Sequence, residues 1–305
     1  MTRPTKKRKP NKLLYMTFGI LGNFRKENTL PVLTDLLHFL KDNHIDFVIE
    51  KKLGSLFHNS LYKKYTDSIN NLLKKSDIII SLGGDGTFLN TASVVGAKGI
   101  PILGVNLGNL GFMAEVGPEE INSFILDILK NKYKVQDLCL IGLKSSKRRA
   151  IYGLNEVVID KCNSIRMIEM EVFYNKEKVV RFVADGIIIS TPTGSTGYSL
   201  SSGGAIISPS SKVFIITPIS PHTLNLRPII VPDDGEISIK ARSFGKIRQT
   251  LDGINSTIFD SPADFHLYKA GHTIKVIKKL NRTYFQTLNN KLLWGADKRK
   301  YQKEK

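Results

Sequence analysis

Up to Lys130, apolar residues alternate between short unbroken runs and stretches in which they recur at helical spacing. Leu13–Phe18 reads as a first strand, Thr29–Asn43 as a helix with Leu33, Leu36, Leu37 and Leu40 on one face, and Ile45–Glu50 as a second strand. Tyr65–Lys74 then reads as a helix, Asp77–Leu82 (DIIISL) as a strand apolar on both faces, Phe88–Val95 as a helix and Pro101–Val105 as another short strand. Pro118–Lys130 closes the series as a helix that opens on Pro118, Glu119 and Glu120, which suit the missing amide partners and positive dipole end of a first turn. Strands alternating with helices in this way predict a parallel sheet covered by helices.

After Tyr133 the pattern changes to short β-rich stretches divided by turn signals: Ala150–Asp160, Arg166–Tyr174, Val179–Ser190, Val213–Ile219, Glu236–Ala241, Arg248–Asp252 and Thr273–Ile277. Asn175–Lys178 (NKEK) has the composition of a hairpin turn between two of them. These stretches predict an antiparallel, all-β domain. The expected organisation is a basic tail over 1–12, an α/β domain over 13–132, a β domain over 133–280, and a segment 281–305, with the single Trp294, that returns to pack on the first domain.

A chain of 305 residues with 41% hydrophobic and 24% charged residues has material for two globular cores. Cys139 and Cys162 are too few and too far apart to staple it, which favours a reducing compartment. No signal-peptide pattern and no apolar run near the ~18 residues of a membrane span is visible, so a cytoplasmic protein that does not enter a membrane is expected. The formal charge of +18 gathers partly at the ends, in Arg3, Lys6, Lys7, Arg8, Lys9 and Lys12, then Lys298, Arg299, Lys300, Lys303 and Lys305. Such clusters serve solubility, or draw polyanions through their field. No aromatic side chain is interleaved with the leading cluster, which argues against nucleic-acid stacking there.

The strongest chemical signal is Gly83-Gly84-Asp85-Gly86-Thr87, between the apolar strand and the following helix. Glycines let the backbone approach a phosphate, and the amides of a strand-to-helix turn point outward as donors to an anion. No Lys-Ser or Lys-Thr follows, so this is not a Walker A loop, and the glycine spacing differs from the dinucleotide fingerprint. A carboxylate at such a loop would repel phosphate unless it holds a metal ion, pairs with a cation or accepts a proton from an attacking hydroxyl; Asp85 is open to all three. Two further segments are rich in groups that recognise a sugar or a base. Asn155-Glu156 offers a carboxylate for vicinal hydroxyls and an amide for an adenine edge, and Asp185–Gly204 (DGIIISTPTGSTGYSLSSGG) runs from an apolar strand into a turn dense in hydroxyls and glycines.

The loop Gly83–Thr87 resembles that of the NAD kinases and of the related diacylglycerol and sphingoid lipid kinases. The block from Asp185 to Gly204 is similar to the NAD kinase signature over its whole length, and the lipid kinases lack it. Val105–Phe112 (VNLGNLGF), Ile216–Arg227 (ITPISPHTLNLR) and Leu251-Asp252-Gly253 also resemble blocks of that family. The resemblance covers about Leu13 to Val276. It implies an N-terminal Rossmann-like α/β domain, a C-terminal β-sandwich-like domain, and transfer of the terminal phosphoryl of ATP to the 2′-hydroxyl of the adenosine ribose of NAD. It further implies ATP with Mg2+, or another divalent metal, as donor, NAD as acceptor substrate, and a homodimer or homotetramer with the NAD site near a subunit interface. Carried over by position, Asp85 is the general base. Gly83, Gly84, Gly86, Thr87, Asn155, Glu156, Arg166, Asp185, Thr196, Gly197, Tyr198, Ser199, Leu200 and Ser201 contact nucleotide, with Asn106, Phe112 and Asp252 as additional contacts, and no side chain is assigned to metal.

The sequence departs from the family at several places. Val183-Ala184 stands where Arg-Gly is usual, Gly197 where Ala is common, Ile254 where Gln follows the late Asp-Gly, and Asn109 where His precedes Leu-Gly-Phe. A lipid kinase would share the loop but replace the hydroxyl-rich block by an apolar lipid pocket. A nucleic-acid-binding protein on an inactive kinase fold would instead account for the +18 charge, and would bind RNA or DNA with steep salt dependence.

Overall fold

A computed structural model describes residues 16–57, 61–108, 111–145 and 150–293. The basic ends, Trp294 and Asn109 lie outside these residues. The chain divides into two compact units. Among the described residues, one is built from 16–91, Ile100–Gln136 and 275–293, the other from Ala92–Gly99 and Asp137–Ile274.

The first unit follows the alternation of the sequence: β1 (Thr17–Gly22), α1 (Thr29–Asp42), β2 (Asp46–Glu50), α2 (Lys51–Gly54), β3 (Thr66–Asp67), α3 (Ile69–Lys75), β4 (Ile78–Gly83), α4 (Asp85–Val95), β5 (Ile102–Asn106) and α5 (Ile121–Leu129). The strands pair in parallel in the order β3-β2-β1-β4-β5. On one face, Phe18, Ile20, Ile78, Ile80 and Leu82 bury against Leu33, Leu36, Leu37 and Leu40 of α1 and Ile121, Phe124, Ile125 and Ile128 of α5. On the other, Gly19 leaves the space that Leu72 of α3 and Ile79 fill. A strand covered on both faces is why DIIISL carries no polar alternation.

Tyr65–Lys74 is not one helix, as its spacing predicts, but a 3-10 turn, the short β3 and then α3. Asp67 and Ser68 cause the break. Ser68 Oγ accepts the Asn71 amide at 3.4 Å, and Asp67 accepts the Asn71 side chain at 2.9 Å and Lys75 Nζ at 2.7 Å, a polar cap that restarts the helix. Pro118–Glu120 is likewise a 3-10 turn that leads into α5.

The second unit contains β6 (Tyr133–Ser145, from Asp137), β7 (Ile151–Gly153), β8 (Glu156–Asp160), β9 (Ile168–Tyr174), β10 (Glu177–Ala184), β11 (Gly186–Ser190), α6 (Tyr198–Ser201), β12 (Val213–Ile219), β13 (Ile229–Pro232), β14 (Ile237–Arg242), β15 (Ile247–Leu251), β16 (Asn255–Phe259) and the start of β17 (Ala263–Lys279). Its antiparallel strands form one layer ordered β13-β12-β11-β8-β15-β16 and another ordered β10-β9-β14-β17. Val157, Ile159, Ile187, Ile189, Phe214 and Ile216 of the first layer share one core with Ile168, Met170, Val172, Ile239, Phe265 and Leu267 of the second. This is the packing of a β-sandwich.

Two of the β-rich stretches each hold two strands. Ala150–Asp160 breaks at Leu154-Asn155, and Val179–Ser190 breaks at Asp185, where the chain passes from one layer to the other. In the hairpin between β9 and β10, Asn175 and Lys176 both have positive φ, which matches the twist of the flanking strands. The last residues of β17 return to the first unit, where Val276 lies beside Ile102, and α7 (Tyr284–Leu292) follows them there. Among the described residues no helix is long and apolar enough to cross a membrane.

Candidate active site

In the first unit, β4 runs directly into α4 through the glycine turn. Gly83 has no room for a Cβ, which would collide with the Thr87 side chain, whereas nothing lies within 4 Å of the Cβ position of Gly86. Phe88 is the first residue whose amide bonds back, to Gly84 O at 3.0 Å, and the amides before it form the donor-rich N-terminus of α4. A cation stands at this turn that sequence reasoning did not select: Lys26 Nζ lies 3.7 Å from the Cβ position of Gly84. Lys26 is held in the β1–α1 turn, where Asn23 bonds Leu82 O at 3.0 Å and Thr29 bonds Lys26 O at 3.0 Å.

Asp85 opens α4, and its carboxylate crosses to the segment after β5. Oδ2 accepts the Phe112 amide at 2.9 Å, and Oδ1 accepts those of Met113 and Ala114 at 3.1 and 3.2 Å. The fourth donor is Lys291 Nζ of α7, 3.2 Å from Oδ2 and 4.4 Å from the centre of the Phe112 ring. Burial pushes the Asp85 carboxyl up, but Lys291 and the three amides outweigh it and hold the group below the usual aspartate value. Lys278 supports the same segment from β17, donating to Phe112 O at 3.1 Å and pairing with Glu115 at 2.8 Å. Asn106, buried at the end of β5, accepts the Gly108 amide at 2.9 Å.

A second carboxylate cradle lies in the second unit. Asp252 takes positive φ after β15 and accepts the amides of Leu154, Asn155 and Glu156 at 2.7, 2.7 and 3.1 Å. These contacts remove that backbone from a strand ladder, which explains the break between β7 and β8. The Thr191 hydroxyl donates to Leu154 O at 2.6 Å and accepts the Gly194 amide at 3.2 Å, so the hydroxyl-rich turn is bolted to the Asn155-Glu156 pair. Gly194 packs on the Asn155 backbone with no space for a Cβ. The Cβ position of Gly197 is 3.2 Å from Glu156 Oε2 and 3.6 Å from Asn155 Nδ2.

Within this arrangement Asn155 Oδ1, Glu156 Oε2 and Thr193 Oγ1 are buried without a hydrogen-bond partner. Unpaired buried oxygens are expensive, and a cluster of them at one place is what a polar ligand would satisfy. Burial and then the neighbouring Asp252 push the Glu156 carboxyl up to about 7, and burial also raises Asp252 despite its three amides.

Thr196 and Leu200 are half-buried around this turn, and Tyr198 and Ser201 are exposed. Ser199 is fully buried and its hydroxyl pairs with Thr217 at 2.9 Å, a structural bond under α6. Arg166 and Asp185 stand apart from these residues. Glu156 pairs with Ser190 at one end of the β8–β11 ladder and Asp160 with Gly186 at the other, ~13 Å away at ordinary strand rise. Asp185 is at that far end, in an ion pair with Lys161 at 2.7 Å, and Arg166 covers the Phe244 ring at 4.5 Å. Of the departures, Ala184 is fully buried, while Val183 and Ile254 are partly exposed. A cavity of about 540 Å³ opens beside Asp252, lined by Tyr152, Leu154, Gln249 and His272 among others.

The chain matches family models described as the ATP-NAD kinase N-terminal domain, over residues 18–133, and the ATP-NAD kinase C-terminal domain, over residues 154–279. An NAD kinase of Flavobacterium psychrophilum is 39% identical over 296 residues, covering 93% of this chain and 100% of that one. Among solved structures, yeast NADH kinase complexed with NADH superimposes with a TM-score of 0.84 at 23% identity, covering 93% of this chain and 89% of the other. An NAD kinase from Archaeoglobus fulgidus in complex with ATP gives 0.72 at 22% identity, covering 91% and 99%.

Proposed function

The chain belongs to the ATP-NAD kinase family and transfers the terminal phosphoryl group of ATP to the adenosine-ribose 2′-hydroxyl of NAD, making NADP; from that premise we propose how its residues divide the work. The amides of Gly83–Thr87, with Lys26 beside Gly84, receive the donor phosphates. Asp85 is the general base. Support for this comes from one observation above the others: a carboxylate at the head of α4, beside the anion-accepting amides, is kept ionised by three amides and Lys291.

An aspartate held below its usual pKa is a weak base toward a free alcohol. It suffices in phosphoryl transfer, because the transition state is loose and the attacking hydroxyl becomes acidic only as its oxygen bonds to phosphorus. The 2′-oxygen bonds to the terminal phosphorus, the bond from that phosphorus to the bridging oxygen breaks, ADP leaves, and the hydroxyl proton passes to Asp85.

Asn155 and Glu156 hold the ribose and adenine of NAD, with their unpaired oxygens supplying the hydrogen-bonding capacity. Among the described residues no group of three or more His, Cys, Asp or Glu side chains is disposed to hold a metal. Mg2+ enters as part of the metal–ATP substrate, where it neutralises phosphate charge. Arg166 and Asp185, at the far end of the β8–β11 ladder, contact the dinucleotide bound to a neighbouring copy in a homo-oligomer. The free thiols of Cys139 and Cys162 suit a cytoplasmic setting.

The test is purified protein with ATP, Mg2+ and NAD, with NADP read through an NADP-specific dehydrogenase, beside Asp85→Asn. Wild type should form NADP and the variant should lose nearly all of that rate. A folded variant with wild-type turnover would remove Asp85 from the chemistry.

A further inference from the structure

An ionised carboxylate offers about four lone-pair positions, two on each oxygen. At Asp85 all four are taken: Met113 and Ala114 on Oδ1, Phe112 and Lys291 on Oδ2. A base so occupied has no position left for the proton of an incoming hydroxyl. One donor must leave before the group can act.

The three amides are poor candidates. Gly111, just before them, packs against the Asp85 carboxylate with no space for a Cβ, Ala114 is buried, and Lys278 fixes Phe112 O from the other side. Lys291 is different. It reaches Asp85 on a flexible side chain that keeps about a third of its surface exposed, and it comes from a helix anchored elsewhere. A capping box of Thr283 and Gln286 starts α7, and Thr287 Oγ1 bonds Glu115 at 3.2 Å. The helix can therefore stay in place while the ammonium moves.

Resting on the reading of Asp85 as the base, we propose that Lys291 is a positioning residue for it: the ammonium pairs with Oδ2 in the empty enzyme and is displaced when the acceptor hydroxyl arrives, toward the donor phosphates. The pairing keeps Asp85 deprotonated while it waits. The displacement makes the base available only when both substrates are present, because the phosphates give the departing cation a new partner. Lys278, buried and paired with Glu115, also interacts with Asp85, and Lys26 stands at the neighbouring Gly84; both remain when Lys291 is changed.

The experiment compares wild type, Lys291→Met, Lys291→Arg and Asp85→Asn for kcat, for KM toward ATP and NAD, and for the pH profile of kcat, with thermal unfolding as a check on folding. Lys291→Met should lower kcat by about 10- to 100-fold, with KM for NAD changed less than ~3-fold. Its acid limb should move upward, because the ammonium no longer offsets burial at Asp85. Lys291→Arg should regain most of the turnover and the wild-type limb. A Lys291→Met enzyme with unchanged kcat and pH limb, or one slowed with no movement of the limb, overturns the proposal. An inactive Asp85→Asn beside a normal Lys291→Met leaves the base assignment standing and rejects Lys291 alone. An active Asp85→Asn rejects the base, and the role of Lys291 with it.

Discussion

Asp85 and Asp252 occupy nearly the same backbone setting in different units. Each carboxylate crosses a sequence gap to collect three consecutive amides, Phe112 to Ala114 in one case and Leu154 to Glu156 in the other. Both are substantially buried. Yet the Asp85 carboxyl is held below its usual value and that of Asp252 is raised. The difference lies in a cation: the Lys291 ammonium stands at Asp85, whereas at Asp252 burial is opposed by the three amides alone and outweighs them. Three amides suffice to orient a buried carboxylate, but a cation is needed to guarantee its charge. On the proposed reading, the first cradle serves chemistry and the second is a bracket that sets the Asn155-Glu156 backbone.

The comparison can be broken most forcefully at Asp85. Asp85→Asn keeps the size of the side chain but loses the charge, and kcat should fall by about 10²- to 10⁴-fold with the fold intact by circular dichroism. Next is Gly194→Ala, whose Cβ meets the Asn155 backbone. It should cost about 3 kcal/mol in urea unfolding and weaken NAD binding together with stability. Equal NAD affinity in that variant would separate the hydroxyl-rich turn from the Asn155-Glu156 pair.

A smaller effect tests the charge state of the bracket. Glu156 has a folded pKa near 7 against an ordinary 4.5, so the native state binds its proton more tightly than the unfolded chain between those values. Stability contributed by that proton is present below about pH 4.5 and is lost as pH rises through 7. The wild-type unfolding free energy should therefore drop between pH 5 and pH 8 more than that of Glu156→Gln, by roughly 2–3 kcal/mol. Parallel curves would show Glu156 to be ionised throughout. Smallest of all, Gly197→Ala should change stability by less than ~1 kcal/mol, since its Cβ makes a tight but tolerable approach to Glu156 Oε2. Titration of NAD should show a modest loss of affinity, because the new methyl narrows the approach to that oxygen.

The glycine turn was legible because its parts are contiguous: a strand buried on both faces, five loop residues and a helix. Even so, the helix starts at Asp85 and not at Phe88, because the loop residues themselves form its first turn. Lys291 was not legible. It meets Asp85 across 206 positions, and a lysine on a short polar helix looks like a solvated side chain. The Thr283–Gln286 capping box starts this helix, but says nothing of where its lysine reaches. Asp252 entered through family resemblance, while its use as a clamp on the 154–156 amides depends on a positive φ that no periodicity reveals. Strand β13 (IIVP) escaped because it is a four-residue run bounded by Pro228 and Pro232, and β16 (NSTIF) because it has only two apolar residues; neither is long enough to mark a period.

The return of the chain from Lys275 to the first unit has a consequence for biosynthesis. A ribosome makes the glycine loop and Asp85 early, then the whole β-sandwich, and only afterward the strand beside Ile102 and the helix that bears Lys291. A nascent chain halted at Ile274 carries the glycine loop and the hydroxyl-rich turn but not Lys291, so the Asp85 cradle gains its cation only after the whole β-sandwich has been made.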